Sequence, residues 1–146
     1  MKNYTKNDIQ ELMNLARKSG DKVALDAYSA VLGSIQSLES KKNLSDENIL
    51  QIIDRESKIF NESSDVFAKH DKNKSQLEKQ KSILLEKLLP QKIQDSEYDE
   101  IIDSAIENLS AKTIKDMGKT IGFLKNKYGL TLDLAKVSAM VKEKLS

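Results

Sequence analysis

The residues whose types and spacing suggest a particular chemistry lie between positions 114 and 122. This segment contains Gly118 and Gly122, four residues apart, with Lys115 and Lys119 close by. A glycine inside a helix costs about 1 kcal/mol relative to alanine, so the pair requires a structural or functional reason. Two interpretations are open, and both can hold. The glycines let a neighbouring helix pack closely, which we favour, or they form a smooth face that lies against a nucleic-acid backbone.

The charge of the chain is unevenly distributed, although its net value is only +1. Residues 111–146 contain eight lysines and three acidic residues, which gives a net charge of +5. The remaining 110 residues carry 16 basic and 20 acidic groups, which gives −4. A positive end on a nearly neutral protein indicates a polyanionic partner. The alternative is a lysine-rich face that serves only solvation, because charged residues make up 32% of the sequence.

Residue sets typical of catalysis or metal binding are missing from the sequence. There is no cysteine, and His70, the one histidine, lies in a polar segment that predicts a solvated side chain. Acidic residues alternate with lysines at the spacing of surface ion pairs, and no glycine-rich phosphate-binding loop is found. We therefore predict no catalytic residue, no metal and no cofactor, and we expect that the chain is not catalytic alone.

The composition favours a soluble, globular protein. Hydrophobic residues make up 38% of the chain, and aromatic residues only 5%, with no tryptophan, which argues against base-stacking platforms. No apolar run reaches the ~18–20 residues needed to span a bilayer. Residues 1–6 lack the apolar core of a secretory signal. We therefore predict a cytoplasmic protein without a membrane partner.

Apolar residues recur at helical spacing along the whole chain, and no segment alternates as a strand does, which predicts an all-α fold. Thr5 and Asp8 predict a capped start for the first helix, and Gly20 predicts its left-handed end. Pro90 is the only proline and must end the fourth helix, because the residue before a proline is disfavoured in the helical region. The four helices before Pro90 are predicted at residues 5–18, 21–40, 45–67 and 75–89, with a polar turn at 70–74.

Three shorter helices are predicted after Pro90. The first, capped by Ser96, has an acidic outer face, the second begins at Thr113, and the third begins near Asp133 and ends the chain. The sequence therefore predicts two domains joined at Pro90. Residues 1–89 would form an N-terminal bundle of about four helices, and residues 90–146 a compact C-terminal three-helix unit.

Three segments resemble the signature of the GatB/YqeY family in both order and spacing. Residues 114–122 resemble its DMGK segment followed by a glycine, Leu88-Leu89-Pro90 resembles its Leu-Pro joint, and Arg55-Glu56-Ser57-Lys58 resembles its RExK element. Their order and spacing match those of the family over essentially the whole chain. The sequence departs from the family pattern at Ser29, where arginine is common, at Lys81, where glutamate is frequent, and in the last loop, where a glycine is usual.

The resemblance implies an all-α protein related to the tail domain of the B subunit of tRNA-dependent amidotransferase, which converts misacylated Glu-tRNA or Asp-tRNA to the amide form. In that enzyme the tail helps to hold the tRNA, and the chemistry takes place in other domains and subunits. The family carries the label of a carbon–nitrogen ligase with glutamine as amido donor. For this chain the resemblance implies tRNA as a partner, with amidotransferase or aminoacyl-tRNA synthetase components as further partners.

The first functional hypothesis is therefore a tRNA-associated accessory module, in which Gly118 and Gly122 permit close approach of the nucleic acid. Its phosphate contacts are expected from five lysines around the DMGK segment: Lys112, Lys115, Lys119, Lys125 and Lys127. The second hypothesis is a protein-interaction adaptor whose N-terminal helices bind a partner. A free-standing amidotransferase is not supported, because the sequence offers neither a candidate nucleophile nor a nucleotide-binding loop.

Overall fold

The computed structural model describes residues 3–146. Within this range the chain forms seven α-helices and three short 3₁₀ turns, and no strand. This confirms the predicted all-α fold. Met1 and Lys2, which belong to the segment used to predict the absence of a secretory signal, lie outside the described residues. Contacts group the chain into two compact units, which we call the N-terminal unit (residues 1–89) and the C-terminal unit (residues 90–146).

The N-terminal unit contains four helices, α1 (Lys6–Ser19), α2 (Lys22–Glu39), α3 (Asp46–Phe67) and α4 (Lys72–Glu86). The predicted cap of α1 is confirmed: Asp8 donates its N–H to Thr5 Oγ1 at 3.2 Å, and the Thr5 N–H donates to the Asp8 carboxylate at 2.9 Å. Gly20 ends α1 with φ at 74°, as predicted. The side chains that are essentially inaccessible to solvent in this unit include Ile9, Val31, Ile35, Ile53 and Leu85.

The pairing of α3 with α4 uses buried serines as well as apolar side chains. The Ser57 hydroxyl donates to the carbonyl oxygen of Ser82 at 3.1 Å. Ser64 and Ser75 each donate a hydroxyl to the carbonyl oxygen of the other, at 2.9 and 2.8 Å. Serines seven residues apart lie on one face of each helix, so the two pairs fix the antiparallel register of α3 and α4. Their small size also lets the two backbones lie close together.

Both ends of α4 differ from the prediction. The helix begins at Lys72, three residues before the predicted Ser75, because the Asp71 carboxylate accepts the N–H of Lys74 at 3.1 Å and caps the helix. The predicted polar turn is correspondingly shorter. The helix ends at Glu86, three residues earlier than predicted, and two tight backbone turns then lead to the proline.

The C-terminal unit contains α5 (Tyr98–Leu109), α6 (Met117–Tyr128) and α7 (Leu134–Leu145). The predicted cap of α5 at Ser96 is wrong, because Ser96 lies inside a 3₁₀ turn, Asp95–Glu97, that precedes the helix. The sixth predicted helix is also preceded by a 3₁₀ turn, Ile114–Asp116, so its α-helical part begins later than Thr113. Tyr98 is 2% exposed, and its hydroxyl accepts the backbone N–H of Asp133 at 2.9 Å, which joins the start of α5 to the start of α7. The apolar core of this unit consists mainly of Tyr98, Ile102, Ala105, Leu124, Val137, Val141 and Leu145.

Candidate nucleic-acid interface

The solvent side of α6 carries the predicted glycines, because the apolar residues of this helix occupy its other side. Leu124 and Thr120 are fully buried, and Met117 packs partly buried against the core. Gly118 is exposed and Gly122 is partly exposed, and both lie away from this buried side of the helix. We call the surface formed by Gly118, Gly122, Lys119 and Lys125 of α6, with Lys112 and Lys115 just before it, the lysine–glycine face. Lys127 lies roughly 140° round the helix from Gly122 and so falls outside this face, contrary to the prediction.

Asp116 organises the turn that brings part of this face together. Its Oδ2 atom accepts the backbone N–H groups of Lys112, at 2.9 Å, and Thr113, at 3.3 Å. These backbone hydrogen bonds, and then the Lys119 ammonium 3.5 Å away, hold the pKa of Asp116 below its ordinary value. The buried Thr120 hydroxyl donates to the Asp116 carbonyl at 2.9 Å. The Asp-Met-Gly-Lys-Thr run therefore fixes the start of α6 and the position of the lysines around it.

The five predicted lysines are all exposed to solvent, and their charges are largely uncompensated. Among residues 3–146, only Lys119 of the five forms an ion pair with a carboxylate, that of Asp116. Lys127 lies 5.5 Å from the centre of the Tyr128 ring, a contact that leaves its charge in place. The structure thus leaves a positive surface along the start and the solvent side of α6.

Two other lysines of the C-terminal unit have a different environment. Lys144 contacts Asp103 at 2.8 Å and Asp99 at 3.2 Å, and its pKa is raised mainly by the hydrogen bond to Asp103. Lys136 forms an ion pair with Asp95. Two lysines of α7 therefore partly neutralise Asp95, just before α5, and Asp99 and Asp103 of α5. This distribution, which the sequence analysis missed, leaves Lys112, Lys115 and Lys125 of the lysine–glycine face without a carboxylate partner among residues 3–146, and the same is true of Lys92, Lys127 and Lys142 elsewhere in the unit.

The structure contradicts the packing interpretation of the two glycines. No side chain or backbone of another part of the chain lies within 4 Å of an ideal Cβ atom placed on Gly118 or Gly122. Close approach of a neighbouring helix, which we favoured, is therefore wrong for these positions among the described residues. The physical reason is that both glycines lie opposite the buried side of α6. Their role in close approach of a nucleic acid stays a prediction.

Replacing Gly122 with alanine is expected to stabilise the C-terminal unit. A methyl group at this position meets no neighbour, and alanine in a helix interior is favoured over glycine by about 0.8–1.0 kcal/mol. The same change at Gly118, in the first turn of α6, should have a smaller effect of the same sign. Urea unfolding of both variants checks this expectation, and a loss of stability would mean that something packs against the glycines after all.

The lowered pKa of Asp116 gives a pH-dependent expectation for stability. Because the folded-state pKa lies below the unfolded value of about 3.9, the charged carboxylate stabilises the fold above that value. This contribution is lost as the pH falls through the folded-state pKa. Asp116→Asn should therefore lower the melting temperature at pH 7, and its difference from wild type should shrink toward pH 3. Thermal melts of both proteins across this range measure the difference, and a constant gap would refute the role of the charge.

The sequence profile of the Yqey-like protein family matches residues 6–145. The chain belongs to the YqeY-like family. The match begins at the first residue of α1 and ends at the last residue of α7, so it includes every helix of this YqeY-like protein and the whole lysine–glycine face. No curated protein matches the chain.

The RExK element of this YqeY-like protein is divided between the core and the surface. Glu56 is buried and accepts a hydrogen bond from the Ser34 hydroxyl, which joins α3 to α2. Lys58 forms an ion pair with Asp54 at 3.0 Å on the surface of α3. Arg55 is exposed and lines a groove. Glu56 therefore has a structural role, whereas Arg55 is available to a ligand.

Two other kinds of feature, a membrane-spanning helix and a metal-binding cluster, are absent from the described residues. Between residues 3 and 146, no helix has the length and apolar character needed to cross a membrane. In the same part of the chain, no three histidine, cysteine, aspartate or glutamate side chains come together as metal ligands do. His70, the histidine assigned to the polar turn, is exposed at the end of α3.

Proposed function

We propose that this YqeY-like protein is a tRNA-associated accessory module that holds the tRNA backbone on the lysine–glycine face and has no catalytic centre of its own. The observation that supports this function is that no other part of the chain covers Gly118 or Gly122, and that the exposed Lys115 and Lys125 near them have no carboxylate partner among residues 3–146. A module that holds tRNA acts next to enzymes that change the aminoacyl group. An amidotransferase or an aminoacyl-tRNA synthetase is therefore the protein partner that fits this role.

The chemistry of the face suits a phosphate backbone. Lysine ammonium groups contact phosphate oxygens and release the counterions that surround them. A glycine has no side chain to hold a ligand away from the helix, so a sugar–phosphate chain can approach α6 closely between the lysines. Contacts of this kind position a nucleic acid without reading its sequence, so selectivity for tRNA must come from its shape.

Titration of fluorescently labelled tRNA at increasing salt concentration tests this function. The logarithm of the binding constant should fall linearly with the logarithm of the salt concentration, with a slope of roughly 0.7–0.9 per phosphate contacted. Heparin at equal charge should compete less well than unlabelled tRNA if shape is recognised. Absence of tRNA binding even at ~50 mM salt would end the proposal, because phosphate contacts are strongest there.

The alternative function, a protein-interaction adaptor, is favoured by a separate observation. Four large apolar side chains of α3 and α4 are markedly exposed, namely Ile59, Val66, Leu77 and Ile83. Ile59 and Val66 are seven residues apart and lie on one face of α3. Pull-down from cell extract separates the two functions. A protein partner that survives RNase treatment and high salt, and is lost on changing Ile59 and Val66 to lysine, would support the adaptor.

A further inference from the structure

A groove beside the loop between α2 and α3 has a lining that the proposed function does not use. It has a volume of ≈ 140 Å³, and none of its lining residues is acidic. Its polar side chains are those of Lys42, Arg55, Asn48 and Gln51, and Leu38 and Ile52 contribute apolar surface. A groove that combines two cations, two amides and an apolar wall suits an anion that also has a non-polar body.

The two cations of the groove differ from several other cations of the N-terminal unit. Three lysines there have carboxylate partners: Lys6 with Glu39, Lys58 with Asp54, and Lys81 with Asp26 and Glu78. Within residues 3–146, neither Lys42 nor Arg55 forms an ion pair with an acidic side chain. Both are exposed, so a dissolved anion can reach them.

The amides of the groove are held in place by the start of α3. The Asn48 side-chain oxygen accepts the backbone N–H of Ser45 at 3.1 Å, as part of the cap of this helix. The Asn48 side-chain nitrogen donates to the Gln51 side-chain oxygen at 3.5 Å. These bonds use the oxygens of both amides. Each oxygen accepts one of these bonds, and both amides still have N–H groups that the two bonds do not use and that can donate to an anion.

We propose that this groove binds the phosphate group of a nucleotide. The Arg55 guanidinium matches phosphate geometry through two parallel N–H donors, and Lys42 adds a second charge. The apolar wall, with Leu38 and Ile52, contacts the sugar or base. A free nucleotide presents a phosphate monoester and an RNA chain presents a phosphodiester, and both offer the two non-bridging oxygens that a bidentate guanidinium contact requires. The site belongs to the N-terminal unit and uses none of the residues of the lysine–glycine face. Evidence for or against this site therefore does not decide the proposed function.

Nuclear magnetic resonance titration at constant ionic strength tests the site. Uniformly ¹⁵N-labelled full-length protein is titrated with adenosine monophosphate, with adenosine, and with a ten-nucleotide RNA that has no terminal phosphate. The signals of Asn48, Gln51 and Arg55 report on the groove. Shifts with the monophosphate and not with adenosine indicate a free nucleotide as the source of the phosphate. Shifts with the RNA alone indicate a phosphodiester of an RNA chain, and either result supports the proposal.

Substitutions identify the contribution of the cations. Arg55→Gln should weaken binding of the effective probe by about tenfold or more, since a charge-assisted bidentate contact is lost. Lys42→Gln should weaken it less. Lys58→Gln is the matched control, because this lysine lies on the same helix and is paired with Asp54, and it should leave affinity unchanged. No shift with any probe, or equal losses from Arg55→Gln and Lys58→Gln, would overturn the proposal. Neither result would bear on tRNA binding at the lysine–glycine face.

Discussion

Replacing Leu124 with alanine is expected to unfold most of the C-terminal unit. Leu124 is fully buried in the core of this unit. Removing a buried leucine side chain costs about 2–5 kcal/mol through lost apolar contact and the cavity that remains. A helical unit as small as residues 90–146 rarely has more than about 3–5 kcal/mol of stability. The single change therefore removes most of the free energy that keeps α6 packed between its neighbours.

Circular dichroism at 222 nm with urea unfolding measures this effect. The variant should lose helical signal from α5, α6 and α7, which contain 12 residues each. Leu134→Ala is the matched control, because the same atoms are removed from a residue that is 39% exposed, and it should cost less than about 1 kcal/mol. Equal effects of the two substitutions would show that the core of this unit is assigned wrongly.

Local signals in the sequence were sufficient for most of the fold. The reciprocal bonds of Thr5 and Asp8 and the left-handed Gly20 depend on residues close together in the chain, so a single sequence predicts them. Pro90 indicated that α4 ends before it, but the helix ends three residues earlier than predicted. The start of α4 was predicted too late, because Asp71 lies in a polar run in which the capping residue has no apolar neighbour to mark it.

The orientation of Gly118 and Gly122 could be predicted from the sequence, but the interpretation that they pack against a neighbouring helix was wrong. The apolar residues of α6 already define its buried side, and Gly118 and Gly122 do not share that side. A helical wheel therefore favours solvent exposure over packing. The spacing of the glycines alone does not distinguish the two, because residues four apart share a face whether or not that face is covered.

Contacts between residues that are far apart in the chain could not be predicted from the sequence. The bonds of Ser57 to Ser82 and of Ser64 to Ser75 join residues far apart in the chain, and serine has no apolar pattern that marks it as buried. Their only signal was the seven-residue spacing within each helix. The pairing of Lys144 with Asp99 and Asp103 likewise requires the packing of α5 against α7 to be known. Counting charges along the sequence therefore gave the net charge of the unit, but not the face on which it is uncompensated.

The paired change of Lys115 and Lys119 to alanine is expected to have the largest effect on tRNA binding. Both lysines are exposed and belong to the lysine–glycine face. Loss of two phosphate contacts should reduce the slope of the log–log salt dependence by roughly 1.4–1.8 and weaken binding of all tRNAs alike. Neither side chain belongs to the core, so the helical signal of the variant should match that of wild type.

The most direct test of the account compares this variant with a second one that has the same net charge. Lys92→Ala combined with Lys142→Ala also removes two exposed lysines from the C-terminal unit, but from outside the lysine–glycine face. The measurement is the salt dependence of labelled tRNA binding for wild type and both double variants, between about 50 and 300 mM salt. We expect a clearly smaller slope and lower affinity for the Lys115 and Lys119 variant, with the control close to wild type. Equal slopes for the two variants would contradict it, since binding would then depend on net charge and not on this face.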